Sequence, residues 1–155
     1  MATSRAPVPE IRRLRAEDRD IARRLFALMA DVFEEESGEL TDQYLDDLLR
    51  REGFWAVAAI SDGEVIGGLT AHVVPMTRVE SAELFIYDVA VTASHQRQGV
   101  GRRLLTAIRH DATAAGIGDA FVPVDTADEH AIDFYRALGG VASPVTMFTF
   151  AARSP

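Results

Sequence analysis

The sequence predicts an α+β fold of three layers, a mixed central sheet flanked by helices, and three observations lead there. Apolar residues change period along the chain in the order β-α-α-β-β-β-α-β-α-β. Three strand signals follow one another between Phe54 and Val91, with helical patterns before and after them. At 155 residues and 48% hydrophobic composition, the chain has enough apolar surface for one core without disulfide or metal support. Residues 10–155 are therefore expected to form a single domain. Residues 1–9 carry no apolar segment of the kind a secretory signal needs and are expected to be a frayed tail.

Each element has its own justification. Glu10 to Leu14 reads as a short strand, and Asp18 or Asp20 then caps a helix with the stripe Ile21, Leu25, Leu28, Met29 and Val32. The acidic stretch Glu34-Glu35-Glu36-Ser37-Gly38-Glu39 interrupts that stripe. Thr41 or Asp42 caps a second helix bearing Leu45, Leu48 and Leu49. Phe54–Ile60 and Val65–Val74 form a hairpin about Asp62-Gly63, a pair that accepts the positive φ of a tight turn. Leu84 to Val91 is the third consecutive strand. From Val100 the period becomes helical, with Leu104, Leu105, Ile108 and Ala112 on one face and Gly116 and Gly118 at the end. Ala120–Val124 is a short buried strand, and Thr126-x-x-Glu129 is a capping-box signature for a helix with Ala131, Phe134, Tyr135 and Leu138. Gly139-Gly140 ends that helix, and Val145–Phe150 closes the sheet.

Composition narrows the chemistry. There is no cysteine, which removes disulfides, thiolate metal sites and a cysteine nucleophile. Apolar runs are far shorter than the roughly 20 residues that cross a bilayer, so a soluble, cytoplasmic protein without a membrane partner is expected. A formal charge of −8 argues against nucleic acid and favours a cationic partner, although the same acids also serve solubility. His72, His95, His110 and His130 show no metal-ligand spacing, and no metal is expected.

The segment most informative about function joins the third strand to the following helix. Gln96-Arg97-Gln98-Gly99-Val100-Gly101 is a loop in which glycine lets the backbone approach a ligand, and the helix start offers unpaired N–H groups and a positive dipole end to an anion. Arg97, Arg102 and Arg103 gather positive charge there on an otherwise acidic chain. A dinucleotide fingerprint would need glycine at 104, where Leu104 stands, and no Walker sequence is present. A tight turn with solvated arginines would also account for the glycines taken alone.

In context, Gln96-Arg97-Gln98-Gly99-Val100-Gly101 resembles the Q/R-x-x-G-x-G/A acetyl-CoA signature of the GNAT acyltransferase superfamily at every fixed position, and the likeness covers roughly residues 10 to 150. Phe85 to Val91, His95 to Gly99, Tyr44 to Arg50, Ala71 to Pro75 and Asp125 to Leu138 further resemble the type I aminoglycoside 3-N-acetyltransferases. Thr126 and His130 depart from that pattern, where a Tyr and a Pro are expected, so substrate preference is open. The resemblance implies acetyl-CoA as cosubstrate, bound by the run Val89-Ala90-Val91, through the backbone of Val89 and Val91, and by Gln96 to Arg103. It also implies Tyr135 as proton donor to the leaving thiolate, an aminoglycoside acceptor acetylated at its 3-amino group, and a possible homodimer.

Without a cysteine or a G-x-S-x-G elbow, direct transfer to a bound amine is the simplest route. The base is open between Asp88 and Glu83. Strict alternation places Asp88 with Leu84, Ile86 and Ala90 on an apolar face, where burial raises its pKa, unless a bulge turns it outward. Glu83 shares the other face with Phe85 and Tyr87 and acts through water. Tyr87, Asp88, Asp125, Asp128 and Glu129 are candidate contacts for a cationic acceptor, with Glu34, Glu35, Glu36, Asp42 and Asp46 also near the first helices. Glu129 has a simpler role as capping partner of Thr126, the Glu34 run as a solvated loop, and Tyr135 as core packing beside Phe134. Two other functions stay in play: acetylation of a polyamine, small amine or protein N-terminus, and a silent acyl-CoA-binding module.

Overall fold

The computed structural model describes residues 5–155, so the first four residues of the expected tail lie outside the described residues. The chain divides into two units, Met1–Pro123 and Val124–Pro155. In the first, β1 (Glu10–Arg13), β2 (Phe54–Ser61), β3 (Glu64–Pro75), β4 (Ala82–Val91) and β5 (Ala120–Phe121) form one sheet in that order. Neighbours are antiparallel except β4 and β5, which are parallel, so the sheet is mixed as expected. The same unit holds α1 (Arg19–Val32), α2 (Asp42–Arg50) and α3 (Val100–Ala114).

Local sequence accounts for most boundaries. Asp62 and Gly63 both take positive φ, 51° and 78°, which gives the β2–β3 turn the twist that its strands need. The Thr41 hydroxyl accepts a hydrogen bond from the Tyr44 N–H at 3.1 Å and caps α2. Asp18 precedes α1, but its carboxylate accepts from the Arg15 N–H at 2.9 Å and so closes the preceding turn instead of capping the helix. α3 stops where Gly116 enters the left-handed region at φ 76° and the Ile117 N–H reaches back to the Ala112 carbonyl at 2.9 Å. Pro123 explains why β5 is two residues long and not five, since proline has no N–H to continue a ladder.

The two faces of the sheet are packed by different helices. Leu25, Met29 and Ala22 of α1 bury against Ala56, Ala58 and Ala90. Helix and sheet approach so closely that a Cβ on Gly68 would lie 2.2 Å from a methyl of Leu25, which requires glycine there. Val57, Leu69, Leu84 and Ile86 alternate to the opposite face, on the side where α3 buries Leu104, Leu105 and Ile108.

A β-bulge decides the site. Thr70 pairs with Asp88 and Ala71 with Ile86, so Tyr87 is an extra residue on β4. Thr70 and Ala71 point to opposite faces, and therefore Asp88 and Ile86 do too. Strict alternation fails at this point: Asp88 and Ala90 lie on the α1 face with Glu83, Phe85 and His72, and Leu84 and Ile86 lie on the α3 face. Asp88 does not share an apolar face with Leu84 and Ile86.

In the second unit, α4 spans Glu129–Ala137. The capping box expected from Thr126 and Glu129 does not form. Asp125 accepts from the Ala127 N–H at 2.8 Å, and this turn carries the chain on to Asp128, whose carboxylate accepts from the Ala131 N–H at 3.0 Å. The cap therefore falls two residues later, and Glu129 is the first helical residue. Gly139, at φ 90°, ends α4, with the Gly140 N–H bonded to the Tyr135 carbonyl at 2.9 Å. Residues 141–155 contain no strand, so the expected closing strand Val145–Phe150 has no ladder in this chain.

Candidate active site

Two features of the first unit have the character of binding sites, one built from backbone amides and the other lined by carboxylates. The first is the loop before α3. Gly99 occupies the helix N-cap at φ 82°, and Arg97 also takes a positive φ, 61°, unusual for a residue with a side chain. Such alternation turns successive N–H groups toward one concavity, a form that suits an anion. No side chain caps α3, and its first helical bond is Arg103 N–H to the Gly99 carbonyl, so the amides of Val100, Gly101 and Arg102 have no intrahelical acceptor. Nothing lies within 4 Å of a Cβ placed on Gly99, which leaves room for a ligand at the loop.

The glutamines of the loop act as braces. Gln96 donates its side-chain amide to the Val91 carbonyl at 3.0 Å, and Gln98 donates to the Ser94 carbonyl at 3.1 Å. Both side chains are thus occupied in shaping the turn, while the main-chain amides face outward. His95 is held within the same turn by the Thr92 and Ser94 hydroxyls, at 3.1 and 3.0 Å. Arg102 and Arg103 are exposed and line a groove of about 760 Å³ with Gln98 and Gly99, on the side of Ile11, Arg13 and Val57.

Next to the loop, β4 has an open edge. Its ladder with β5 covers only Leu84 and Phe85. The Thr92 N–H bonds the Ile66 carbonyl of β3 at 2.9 Å, and in an antiparallel ladder alternate residues then turn their polar groups away. Val89 and Val91 are those residues. Their backbone groups point to the open edge, and Gln96 already holds one carbonyl there. Ala90 turns its backbone to β3 and its methyl into the α1 core, so it gives position and not contact.

The second feature is an open cavity of about 1070 Å³ between α1, α2, the loop between them and the sheet. Thr70, His72, Tyr87 and Asp88 form its floor, and Glu35, Glu36 and Glu39 line the opposing loop. Arg23 fixes that loop by donating to the Leu40 carbonyl and the Asp42 carboxylate, so Asp42 is neutralised while the three glutamates have no ion pair among the described residues. Asp46 is likewise paired, with Arg19 at 3.0 Å. Partial burial raises the pKa of Asp88 above the ordinary carboxylate value; the negative charge of Glu35 pushes the same way, and His72 pulls against both. A carboxylate so placed holds a proton more readily than a solvated one, as a general base requires.

An aromatic row crosses this face in register. Phe54 pairs with His72, His72 with Phe85, and Phe85 with Phe121. The ring centroids are 5.4, 6.3 and 5.1 Å apart, and Phe85 and Phe121 stack within 4° of parallel. Tyr87, pushed out by the bulge, stands edge-on to both His72 and Phe85.

Of the residues expected from sequence, Asp88 and Tyr87 come together in the cavity, and Glu83, paired with Val74, does not line it. Asp125, Asp128, Glu129 and Tyr135 belong to the second unit, where the first two carboxylates serve turn and cap. Tyr135 packs edge-on to Phe134 at 5.0 Å. The Glu34 run is an exposed loop, and its Glu35 and Glu36 line the cavity. His72, Tyr44 and Glu39 were not foreseen as cavity residues; only the strand register, which aligns Phe54, His72 and Phe85, would have revealed His72.

Residues 13–139 match the family model described as Acetyltransferase (GNAT) family. The aminoglycoside acetyltransferase meta-AAC0020, from an uncultured soil metagenomic sample, superposes with a TM-score of 0.90 at 32% identity, over 94% of this chain and 97% of that one, in its complex with trehalose. The same protein has been solved with sisomicin. HMB0005, an aminoglycoside acetyltransferase of similar origin, also gives 0.90, at 29% identity over 95% of this chain and all of the other. N-acetyltransferase 8 of Mus musculus is 26% identical over 101 residues, 65% of this chain, and that stretch spans only 43% of its length. An anion-cradling loop at a helix start, an opened strand edge beside it and a match over most of the chain lead to one conclusion: this protein belongs to the GNAT acetyltransferase family.

Proposed function

We propose that residues 10–155 act as one cytoplasmic acetyl-CoA-dependent domain that acetylates an amine of an aminoglycoside, at the 3-amino group, and so confers resistance. The observation that carries this reading is Asp88: a carboxylate of raised pKa on the floor of an acid-walled cavity, one residue along β4 from the edge formed by Val89 and Val91. The likeness to meta-AAC0020, solved with sisomicin, supports the acceptor class.

The loop 96–103 fits the diphosphate of acetyl-CoA: unpartnered amides, open space at Gly99 and two exposed guanidiniums meet its charge. The Val89 and Val91 backbone would hold the pantetheine arm. When bound, the cosubstrate supplies an activated acetyl group. Asp88 accepts a proton from the acceptor ammonium, leaving a free amine to form the C–N bond as the C–S bond breaks. Tyr135 gives its phenolic proton to the departing sulfur, and the second proton shed by the acetylated nitrogen passes through solvent to restore the phenol. Glu35, Glu36 and Glu39 attract and orient the other ammonium groups of the acceptor. Phe54, Tyr44 and Tyr87 in the cavity lining offer aromatic surface to saturated rings, which favours an aminocyclitol over a linear polyamine.

The acid wall alone would equally suit a polyamine or a peptide N-terminus. Thiol release from acetyl-CoA, measured with gentamicin- and kanamycin-type drugs, spermidine and peptides, separates these acceptors. Turnover with an aminoglycoside is expected, and no rate above the acceptor-free blank with any of them removes the proposal. Binding of CoA without turnover of any amine would leave the silent module. NMR of the acetylated product tests the 3-amino assignment, and Tyr135→Phe, expected to slow turnover at unchanged CoA affinity, tests the proton donor.

A further inference from the structure

Thr70, between Leu69 and Ala71 in β3, is the one buried polar residue among the described residues, 5% exposed. Thr41, Thr92 and Thr113 each use their hydroxyl within the chain. The Thr70 hydroxyl makes no hydrogen bond among the described residues. Yet no buried side-chain oxygen or nitrogen is sealed in without a partner, so the Thr70 oxygen opens onto the cavity whose floor it helps to form. A hydroxyl held in such a place costs stability, and valine would fill nearly the same volume without that cost.

Its neighbours show what the hydroxyl can serve. In the ladder Thr70 stands between Ala56 of β2 and Asp88 of β4, so its one polar partner across the strands is the proposed base. Directly opposed residues keep their Cβ atoms roughly 5 Å apart, which leaves the hydroxyl and the carboxylate room to hold one small group jointly. The Asp88 carboxylate also makes no hydrogen bond among the described residues. Two oxygen-bearing groups thus share the floor with no donor supplied by the chain. A primary ammonium has three N–H donors at one centre and satisfies both groups at once, whereas a ligand hydroxyl has one donor and a carbonyl none.

We infer that the Thr70 hydroxyl is a second contact of the reacting nitrogen, accepting one N–H of the acceptor while Asp88 takes the proton of another. The inference rests on the reading of this cavity as the acceptor site. The ammonium gives one proton to the carboxylate and becomes a neutral amine. Its hydrogen bond to Thr70 keeps the nitrogen in place as the freed lone pair turns to the thioester carbonyl. The third proton is the one shed through solvent after the C–N bond forms, and the N–H held by Thr70 remains in the amide product.

Thr70→Val is expected to lower kcat/KM for an aminoglycoside by about 10- to 100-fold, the weight of a hydrogen bond to a charged group. CoA affinity by calorimetry should not change, and Tm should equal or exceed that of the unaltered chain. Thr70→Ser, which returns the oxygen, should recover turnover to within about 3-fold. Undiminished turnover in the valine variant, a serine variant as slow as the valine one, or a lower Tm with valine overturns the contact and leaves the acetylation proposal standing. Should no amine be turned over, the acetylation proposal falls and the contact is read from binding alone. Gentamicin titrated without acetyl-CoA is then expected to bind Thr70→Val about 3- to 10-fold more weakly than the unaltered chain or Thr70→Ser. Equal affinity in all three proteins, or binding to none, overturns the contact as well.

Discussion

The loops 34–40 and 96–99 invite comparison because each holds a residue other than glycine in the left-handed region, Glu34 at φ 54° and Arg97 at φ 61°, and they present opposite polarity. The 96–99 loop presents backbone. Its side chains Gln96 and Gln98 turn inward to carbonyls five and four residues away, and the amides at the start of α3 are left without intrahelical acceptors. The 34–40 loop presents side chains. Arg23 of α1 ties it down, and its glutamates face a cavity whose floor comes from β3 and β4. Backbone recognition needs one contiguous segment; side-chain recognition needs several distant ones brought into register.

The largest effect that tests this contrast falls on the cavity floor. Asp88→Asn is expected to lower kcat by about 10²- to 10⁴-fold, the usual weight of a general base, with CoA affinity unchanged by calorimetry. Equal loss of CoA binding would show that the two regions are not separate. Gly99→Val should do the reverse. Forcing a β-branched residue to φ 82° costs on the order of 1–3 kcal/mol, which weakens CoA binding by about 10- to 100-fold while spermidine or drug binding to the cavity, read by calorimetry without CoA, is retained.

Smaller effects separate roles within each region. Glu35→Gln should raise KM for a polycationic acceptor by about 3- to 10-fold, the increase shrinking as salt screens the wild-type attraction. It also removes a charge that holds the Asp88 pKa up, so the acid limb of kcat/KM should move to lower pH. A limb that stays in place would detach Glu35 from the base. Gln96→Ala should weaken CoA binding by roughly 2- to 10-fold, the value of one hydrogen bond that positions the loop.

The least effect is on stability. A carboxylate with a raised folded-state pKa binds its proton more tightly folded than unfolded, so its penalty grows as pH rises from the ordinary carboxylate range through the Asp88 pKa. Above that window the penalty is complete, and Asp88→Asn should raise Tm by about 1–3 °C at pH 8 and by less at pH 4, measured by calorimetry.

The same contrast explains what the chain reveals before folding. The 96–101 loop, the Asp62-Gly63 turn and the Thr41 cap were readable because each depends on neighbours within a few residues. The cap of α4 was misplaced because Asp125 offered a competing local turn that spacing alone does not rank. The aromatic row and the facing of Asp88 depend on pairing between strands, and one extra residue reverses the parity on which such reading relies. Val145–Phe150 reads as a strand from its own residues, but a strand is completed by a ladder whose partner periodicity does not name, and none is formed there.

The Tyr87 bulge adds a ring to the ladder without displacing the pairs on either side of it. Excision of Tyr87 would leave Asp88 opposite Thr70 and Ile86 opposite Ala71, so the carboxylate would keep its face and only the ring that stands edge-on to His72 and Phe85 would go. Seating Tyr87 regularly opposite Thr70 would instead carry the carboxylate through the sheet toward the hydrocarbon of Leu104 and Ile108, stranding a charge in oil.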